Sequence, residues 1–396
     1  MKYGWLGMAA WLLLVPAEVL AEGFLDKLQV HGFASQAVIN TSANNWFGDS
    51  PQTSFDFTEI GLNGSLRPHR RLLLASQVLS RRAGEMYDGT PSLDYALADW
   101  TVLTSPEYRL GLRLGRIKNP IGLYNETRDV PFTRPSIFLP QVVYFDKVRN
   151  LFLSSDGVML YTDLYKPFGN VSLQVGGGRT RLDDNVRWAY LGDFKGQLQQ
   201  EGVAGIASVW YTTPLERLRV GWSGVYLNMN FDPADNTAFT LAPGETSITL
   251  WLASIQYNAK HWSLVAEYAR EPIAWRDYGP LFPDTDRVAE GYYVQGVLRP
   301  NASLELVARY AEGYFDRGDR DGSELAITSG GMLPSSAAFS KILTAGLRWD
   351  FARNWLLRAE YQRHAGNFIL SARENKFPSD YARNWHLFAV LGAFRF

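Results

Sequence analysis

Ser303-Leu-Glu-Leu-Val-Ala-Arg-Tyr310 decides the fold. Leu304, Leu306, Ala308 and Tyr310 alternate with Ser303, Glu305, Val307 and Arg309. A period of two puts one face of an extended strand in an apolar setting and the other in a polar one. The pattern recurs at 262–268, 343–349 and 355–361. A soluble sandwich alternates in the same way, but its apolar faces meet each other and give aromatics no reason to gather at strand ends. Here Trp100, Trp210, Trp222, Trp251, Trp262, Trp349, Trp355 and Trp385 lie in or beside strand segments, many close to a turn. Tryptophan and tyrosine favour a lipid–water boundary, so the pattern predicts an all-β transmembrane antiparallel barrel.

The connections point the same way. Tight turns fall at Arg67-Pro-His-Arg70, Ser105-Pro-Glu107, Lys166-Pro-Phe-Gly169, Thr213-Pro-Leu-Glu216, Asn258-Ala-Lys260, Arg299-Pro-Asn301 and Phe351-Ala-Arg-Asn354. Longer polar stretches run over 41–53, 82–93, 114–155, 179–200, 228–247, 271–287, 313–338 and 364–383. About seven turns on one side and eight loops on the other imply roughly sixteen strands.

The first residues add a compartment. Met1-Lys2, the apolar run from Trp5 to Leu14, and Val19-Leu-Ala21 before Glu22 read as a signal peptide over 1–21, leaving 22–396 as one barrel. Pro16 and Glu18 interrupt a run already too short to span a bilayer. The expected location is the bacterial outer membrane, in contact with its lipid and lipopolysaccharide. A formal net charge of −1 gives no basic stripe for nucleic acid. The absence of cysteine suits an oxidising compartment without fixing it.

The longest interval without an alternating strand is Leu114–Ser155, between strands at 108–116 and 156–165. Pro120, Pro131, Pro135 and Pro140 break any helix or central strand there. Loops of this length are usually functional. The segment is expected to fold into the lumen as a constriction loop over about 116–155. Its candidate constriction residues are Arg116, Lys118, Arg128 and Arg134 against Glu126 and Asp129, with Lys147, Arg149 and Asp146 further on. By parity Arg309, Arg348 and Arg358 face inward as a basic wall, and Arg109 and Arg113 share the inward face of the strand leading to the loop. A net positive constriction favours anions, and charge removal at Arg116 or Arg128 is expected to lower that preference. The competing reading pairs these arginines with Glu267, Glu305, Glu360 and the loop acids as structural ion pairs. Tyr124, Phe132, Phe138, Tyr144 and Phe145 are expected to pin the loop to the wall, offsetting its ordering entropy.

Leu114-Gly-Arg-Ile-Lys-Asn-Pro-Ile-Gly122 resembles the strand-to-loop signature of the phosphate-selective porin family and its relatives, and Asp129-Val-Pro-Phe-Thr-Arg-Pro-Ser136 is similar to that family's downstream segment. Thr133 stands where an acid is usual, and Pro135 separates Arg134 from Ser136. The resemblance implies a homotrimeric, sixteen-stranded porin more strongly than it implies phosphate. The terminal strand, ending on Phe396, looks like the signal read by the barrel assembly machinery.

Small hydrophilic solutes, with anions or carboxylates favoured, are the expected cargo, and no cofactor is expected. The alternatives are a receptor or adhesin barrel with a closed lumen and an outer-membrane hydrolase. For the hydrolase, the five histidines form no Gly-x-Ser-x-Gly or His-Glu-x-x-His pattern. Asp232, Asp235, Asp284, Asp286, Asp316, Asp319 and Asp321 in outer loops read as solvated acids, since no Glu closes a calcium loop.

Overall fold

A computed structural model describes residues 27–234 and 240–396. The signal-peptide residues and Asp235 lie outside them. Sixteen strands form the wall: β1 (Leu28–Thr41), β2 (Ser54–His69), β3 (Leu72–Ala83), β4 (Ser92–Thr104), β5 (Tyr108–Lys118), β6 (Ser154–Lys166), β7 (Gly169–Thr180) and β8 (Gly196–Thr212). The second half comprises β9 (Leu218–Pro233), β10 (Gly244–Asn258), β11 (Trp262–Arg276), β12 (Thr285–Asn301), β13 (Leu304–Tyr314), β14 (Phe339–Ala352), β15 (Trp355–Gly366) and β16 (Asn384–Arg395). Each pairs antiparallel with its sequence neighbours, and β1 pairs with β16, for example Ala37 opposite Leu391. Closure removes both sheet edges, as a strand wall in lipid requires.

Seven short turns and eight longer connections alternate around the barrel, as the turn chemistry predicted. The long connections L1 to L8 span 42–53, 84–91, 119–153, 181–195, 234–243, 277–284, 315–338 and 367–383. They are shorter than the polar stretches suggested, because the strands run past the apolar belt at that end.

The outward rows explain why the chain sits in a bilayer. From the short-turn end they read Trp262, Leu264, Ala266, Tyr268, Arg270 on β11 and Leu304, Leu306, Ala308, Tyr310, Glu312 on β13. On β15 they read Trp355, Leu357, Ala359, Tyr361, Arg363. An apolar stretch, an aromatic and then a charge on all three strands, with a further aromatic at the short-turn end of β11 and β15, mark the two boundaries of a lipid slab. The protein is an integral membrane β-barrel.

The lumen is not polar throughout, which corrects the expectation from inward arginines alone. The inward row of β16 is Trp385, Leu387, Ala389, Leu391 and Ala393, all buried. It packs with Trp46 and Phe47 of L1, Phe138 and Tyr144 of L3, and Ile369 and Leu370 of L8. A second cluster joins Leu151 of L3, Val186 and Leu191 of L4, and inward Leu227, Met229 and Phe231 of β9. Folded-in loops thus supply the core that a water-filled barrel lacks.

Candidate constriction and pore

L3 crosses the lumen and is fastened almost all the way round. At its root Asn119 N–H donates to Leu153 O (3.0 Å), and Asn125 Nδ2 donates to Asn119 O and Phe152 O (2.9 Å each). Gly122 has φ +59, and a Cβ there would strike Tyr144 and Leu252. This left-handed turn is therefore a glycine position. It aims Gly122 N–H at Ser223 Oγ (2.9 Å) on β9. Glu267 of β11 then gathers Leu123 N–H (3.0 Å) and the hydroxyls of Tyr144, Tyr293 and Ser254 (2.6 Å each).

Arg309, Arg348 and Arg358 face inward, and all three hold the loop. Arg309 donates to Ser136 Oγ (2.9 Å) and Phe138 O (3.1 Å). Arg358 donates to Ser136 O (2.8 Å) and to Arg134 O. Arg348 donates to Phe132 O (3.0 Å). Between them Glu360 accepts Ile137 N–H at 2.6 Å. Arg309, Arg348 and Arg358 are thereby committed to loop carbonyls and hydroxyls.

The loop cations are spent in the same way. Arg134 makes a two-pronged pair with Glu59 of β2, Nη2–Oε2 at 2.6 Å and Nη1–Oε1 at 3.2 Å. Arg128 and Arg81 share Asp146 at 3.3 and 3.0 Å. Lys118 bridges Asp94 (2.6 Å) and Asp129, and Arg149 closes on Asp129 from the other side. Burial works against charge on Asp146 and Asp129, yet Arg81, Arg128 and Arg149 around the first, and Arg149 and Lys118 on the second, hold both carboxyls below the usual range. Stability from such depressed carboxyls is present above their unfolded value and is lost only as pH falls through the folded one. The network therefore persists into acid. Lys118, Arg128, Arg134 and Asp129 are buried structural ion pairs rather than free pore charges.

Arg116 departs further from expectation. β5 runs on to Lys118, so Arg116 stays on strand parity, three residues from inward Arg113, and faces outward. It forms a two-pronged pair with Asp156 of β6 (2.7 Å each) on the outer surface. It is not a constriction residue.

One side of the loop is left facing water. Glu126 and Thr127 are exposed and look towards β4–β9. Arg113 lies 3.9 Å from Glu126 and 3.1 Å from Asp99. Arg109 donates to Tyr161 Oη at 2.6 Å. Arg219, inward on β9, lies over Trp210 (5.0 Å) and donates to Gln256 at 3.4 Å. Among the described residues no carboxylate pairs with it. Sequence reading missed Arg219, although its alternation with Val220 and Trp222 carried the signal. Elsewhere the seal is tight. The void at Ile121, Val142, Leu250 and Glu271 is about 30 Å³, and that at Glu59, Arg81 and Arg134 about 10 Å³. These hold a water or two at most.

Above L3, L8 is latched to L1 and L2. Glu374 accepts the N–H groups of Phe47 (3.1 Å), Gly48 (2.8 Å) and Glu85 (3.3 Å). Burial pushes its carboxyl up to about 7 despite those donors, with the Glu85 charge adding to the rise. A raised carboxyl contributes its stability below the unfolded value and loses it as pH rises through the folded one. Exchange of these three amides, corrected for intrinsic rate, is expected to be faster at about pH 8 than at about pH 5.5, and Glu374→Gln should abolish the difference. Equal pH response in the variant would refute the assignment.

No family model matches the chain, and no curated protein sequence is similar to it. Solved structures are. OmpT of Vibrio cholerae, outer-membrane expressed, superposes with TM-score 0.57 at 11% identity, over 94% of this chain and 98% of that one. The outer-membrane channel DcaP of Acinetobacter baumannii gives 0.56 at 10%, over 93% and 97%. Salmonella typhi OmpF, in complex with daunomycin, gives 0.56 at 14%, over 93% and 97%. The chain therefore has the fold of outer-membrane porins and channels. These neighbours do not single out a phosphate-selective kind.

Proposed function

We propose that the protein is a passive-diffusion porin for small hydrophilic solutes with a lean towards anions such as carboxylates and phosphates. The observation that carries this is the asymmetry of L3. The loop is sealed to the wall on the β2–β3 and β10–β15 sides, and its open edge faces Arg109, Arg113 and Arg219. Arg109 and Arg113 are balanced by Asp163, Asp99 and Glu126, and Arg219, without a carboxylate partner among the described residues, supplies the local positive field where the solute passes. In this reading the barrel is neither an enzyme nor in need of a cofactor, and buried His364, stacked on Trp385 at 3.7 Å, serves packing. A homotrimer fits the outward face of β1–β3, where Val38, Ile60 and Val78 stand in place of an upper aromatic row. The terminal strand, with Phe396 N–H bonded to Gly32 O, would be what the assembly machinery reads.

The test is reversal potential in a planar bilayer under a salt gradient. Arg113→Gln and Arg219→Gln are each expected to move selectivity towards cations. Arg116→Gln, on the lipid side, should leave it where it was. A shift from Arg116 equal to that from Arg219 would sink this path. A second reading, a receptor-type barrel, is favoured by the apolar packing of L1, L4 and L8 above the loop. It predicts no conductance in the native chain.

A further inference from the structure

Charges facing lipid belong only at its boundary, where they need partners. On β11–β15 the outward boundary row holds Arg270, Glu290, Glu312, Lys341 and Arg363, and L7 lays Arg317 and Arg320 beside it. The two carboxylates are fully engaged. Tyr268 donates to Glu290 at 2.6 Å, and Arg320 closes on it from L7. Tyr292 donates to Glu312 at 2.6 Å, joined by Tyr310 and Tyr314, with Lys341 at 3.7 Å.

In the row three cations face two carboxylates, and the carboxylates of L7 are taken elsewhere, Asp316 and Glu324 by Arg287 and Asp319 and Asp321 by backbone N–H groups of L7 itself. Among the described residues, Arg270, Arg317 and Arg363 have no carboxylate partner. Arg270 is the sharpest case. It stands between Trp251 and Glu290 in the cross-strand register, and its Nε is shut off from water with no hydrogen-bond acceptor. A guanidinium does not shed its proton, and a buried unmet donor is costly. The two Nη groups of Arg270 likewise have no acceptor among the described residues, but they are open to the surroundings, and the acceptor they lack is expected from outside the chain.

The surface below this row says what else the ligand carries. Leu264, Val294, Leu306, Leu343 and Leu347 are exposed directly beneath it. A molecule that meets both has anionic oxygens at the boundary and acyl chains in the slab. The matching row on β1–β3 reads Asn40, Thr58 and Ser80, and Arg82 next to it is taken by Asp56 at 2.6 Å. That on β5–β7 has Arg116 locked on Asp156, with Arg179 beside them. The excess of unpaired cations is concentrated on β11–β15.

We propose that the outward face of β11–β15 is a docking site for the phosphate groups of lipopolysaccharide, with Arg270, Lys341 and Arg363 as phosphate ligands and the apolar rows beneath as the acyl-chain seat. The site depends on the barrel lying in the outer membrane and not on whether it conducts.

The experiment uses the full barrel folded in detergent and purified lipopolysaccharide as the probe, with affinity read from the lipid retained through size-exclusion chromatography. Arg270→Gln/Lys341→Gln/Arg363→Gln is expected to weaken binding by roughly 100-fold, and Arg270→Gln alone by roughly fivefold. Arg82→Gln on the far side should bind as the native chain does. Dephosphorylated lipid A should bind the native barrel as weakly as intact lipopolysaccharide binds the triple variant. Native affinity in the triple variant, or equal binding of the dephosphorylated lipid, would overturn the proposal. Heat-modifiable gel mobility checks that each barrel is folded, and the single variant decides the matter if the triple one is not.

Discussion

Arg309→Ala is expected to cost about 3–5 kcal/mol of stability and to raise single-channel conductance. Arg309 is buried on the inward face of β13, where it holds Ser136 and Phe138 of L3 and also reaches Gln295 (3.2 Å) and Thr344 (3.4 Å). It is also the nearest cation to Glu360, at 3.9 Å. Alanine removes two anchors from the loop and leaves Glu360 as a buried carboxylate served by neutral donors only, which is the expensive half of a broken pair. The two effects separate in a double variant. Arg309→Ala/Glu360→Gln removes the stranded charge, so part of the stability should return. The loop anchors remain missing, so the conductance increase should stay. Urea unfolding of the detergent-folded barrel and planar-bilayer recording measure the two. A stability loss with unchanged conductance would show that Arg309 holds the barrel but not the constriction.

That division also marks what was legible beforehand. Strand alternation and turn chemistry are local, and they gave sixteen strands, the order of short and long connections, and the inward direction of Arg109, Arg113, Arg309, Arg348 and Arg358. The partners were not local. Arg134 meets Glu59, Arg128 and Arg81 meet Asp146, and Lys118 meets Asp94, pairs set by how L3 lies across strands far away in sequence. A surplus of basic residues in a loop therefore said nothing about which of them face water. Arg116 failed for a different reason. A loop beginning at Arg116 would free its side chain for the lumen, whereas β5 continues two residues further, and each strand residue switches face. The apolar upper lumen was hidden because Trp385, Leu387 and Leu391 look like lipid-facing residues until their parity with Phe388 and Phe394 is weighed.

Removing the L4 helix should have the other large effect. This helix, α1 (Asp184–Leu191), is capped by Asp183 accepting Val186 N–H at 3.0 Å. Its buried Val186 and Leu191 lie in the cluster that includes Ile206, Leu227 and Met229 on the inward faces of β8 and β9. Tyr190 Oη donates to Glu271 (2.6 Å) and its carbonyl accepts Trp275 Nε1–H (3.2 Å), both on β11. Asn185 reaches Met86 O of L2 (2.8 Å) and takes Arg373 of L8 (2.6 Å), while Asn150 of L3 donates to Asp183 (2.6 Å). The helix packs on the inward faces of β8 and β9 and on Leu151 of L3 and is tied across the mouth to β11, so it covers part of the entrance on the extracellular side of Arg113 and Arg219. Replacing 183–192 with a short Gly/Ser link should raise conductance roughly twofold or more, since access is then limited by L3 alone. Selectivity should persist, because Arg109, Arg113 and Arg219 are untouched. Tyr190→Phe, which drops one hydrogen bond and keeps the packing, should change little. Unchanged conductance in the helix-less barrel would place the narrowest point at Glu126 and Arg113, and a native chain silent until the helix is removed would make L4 its gate.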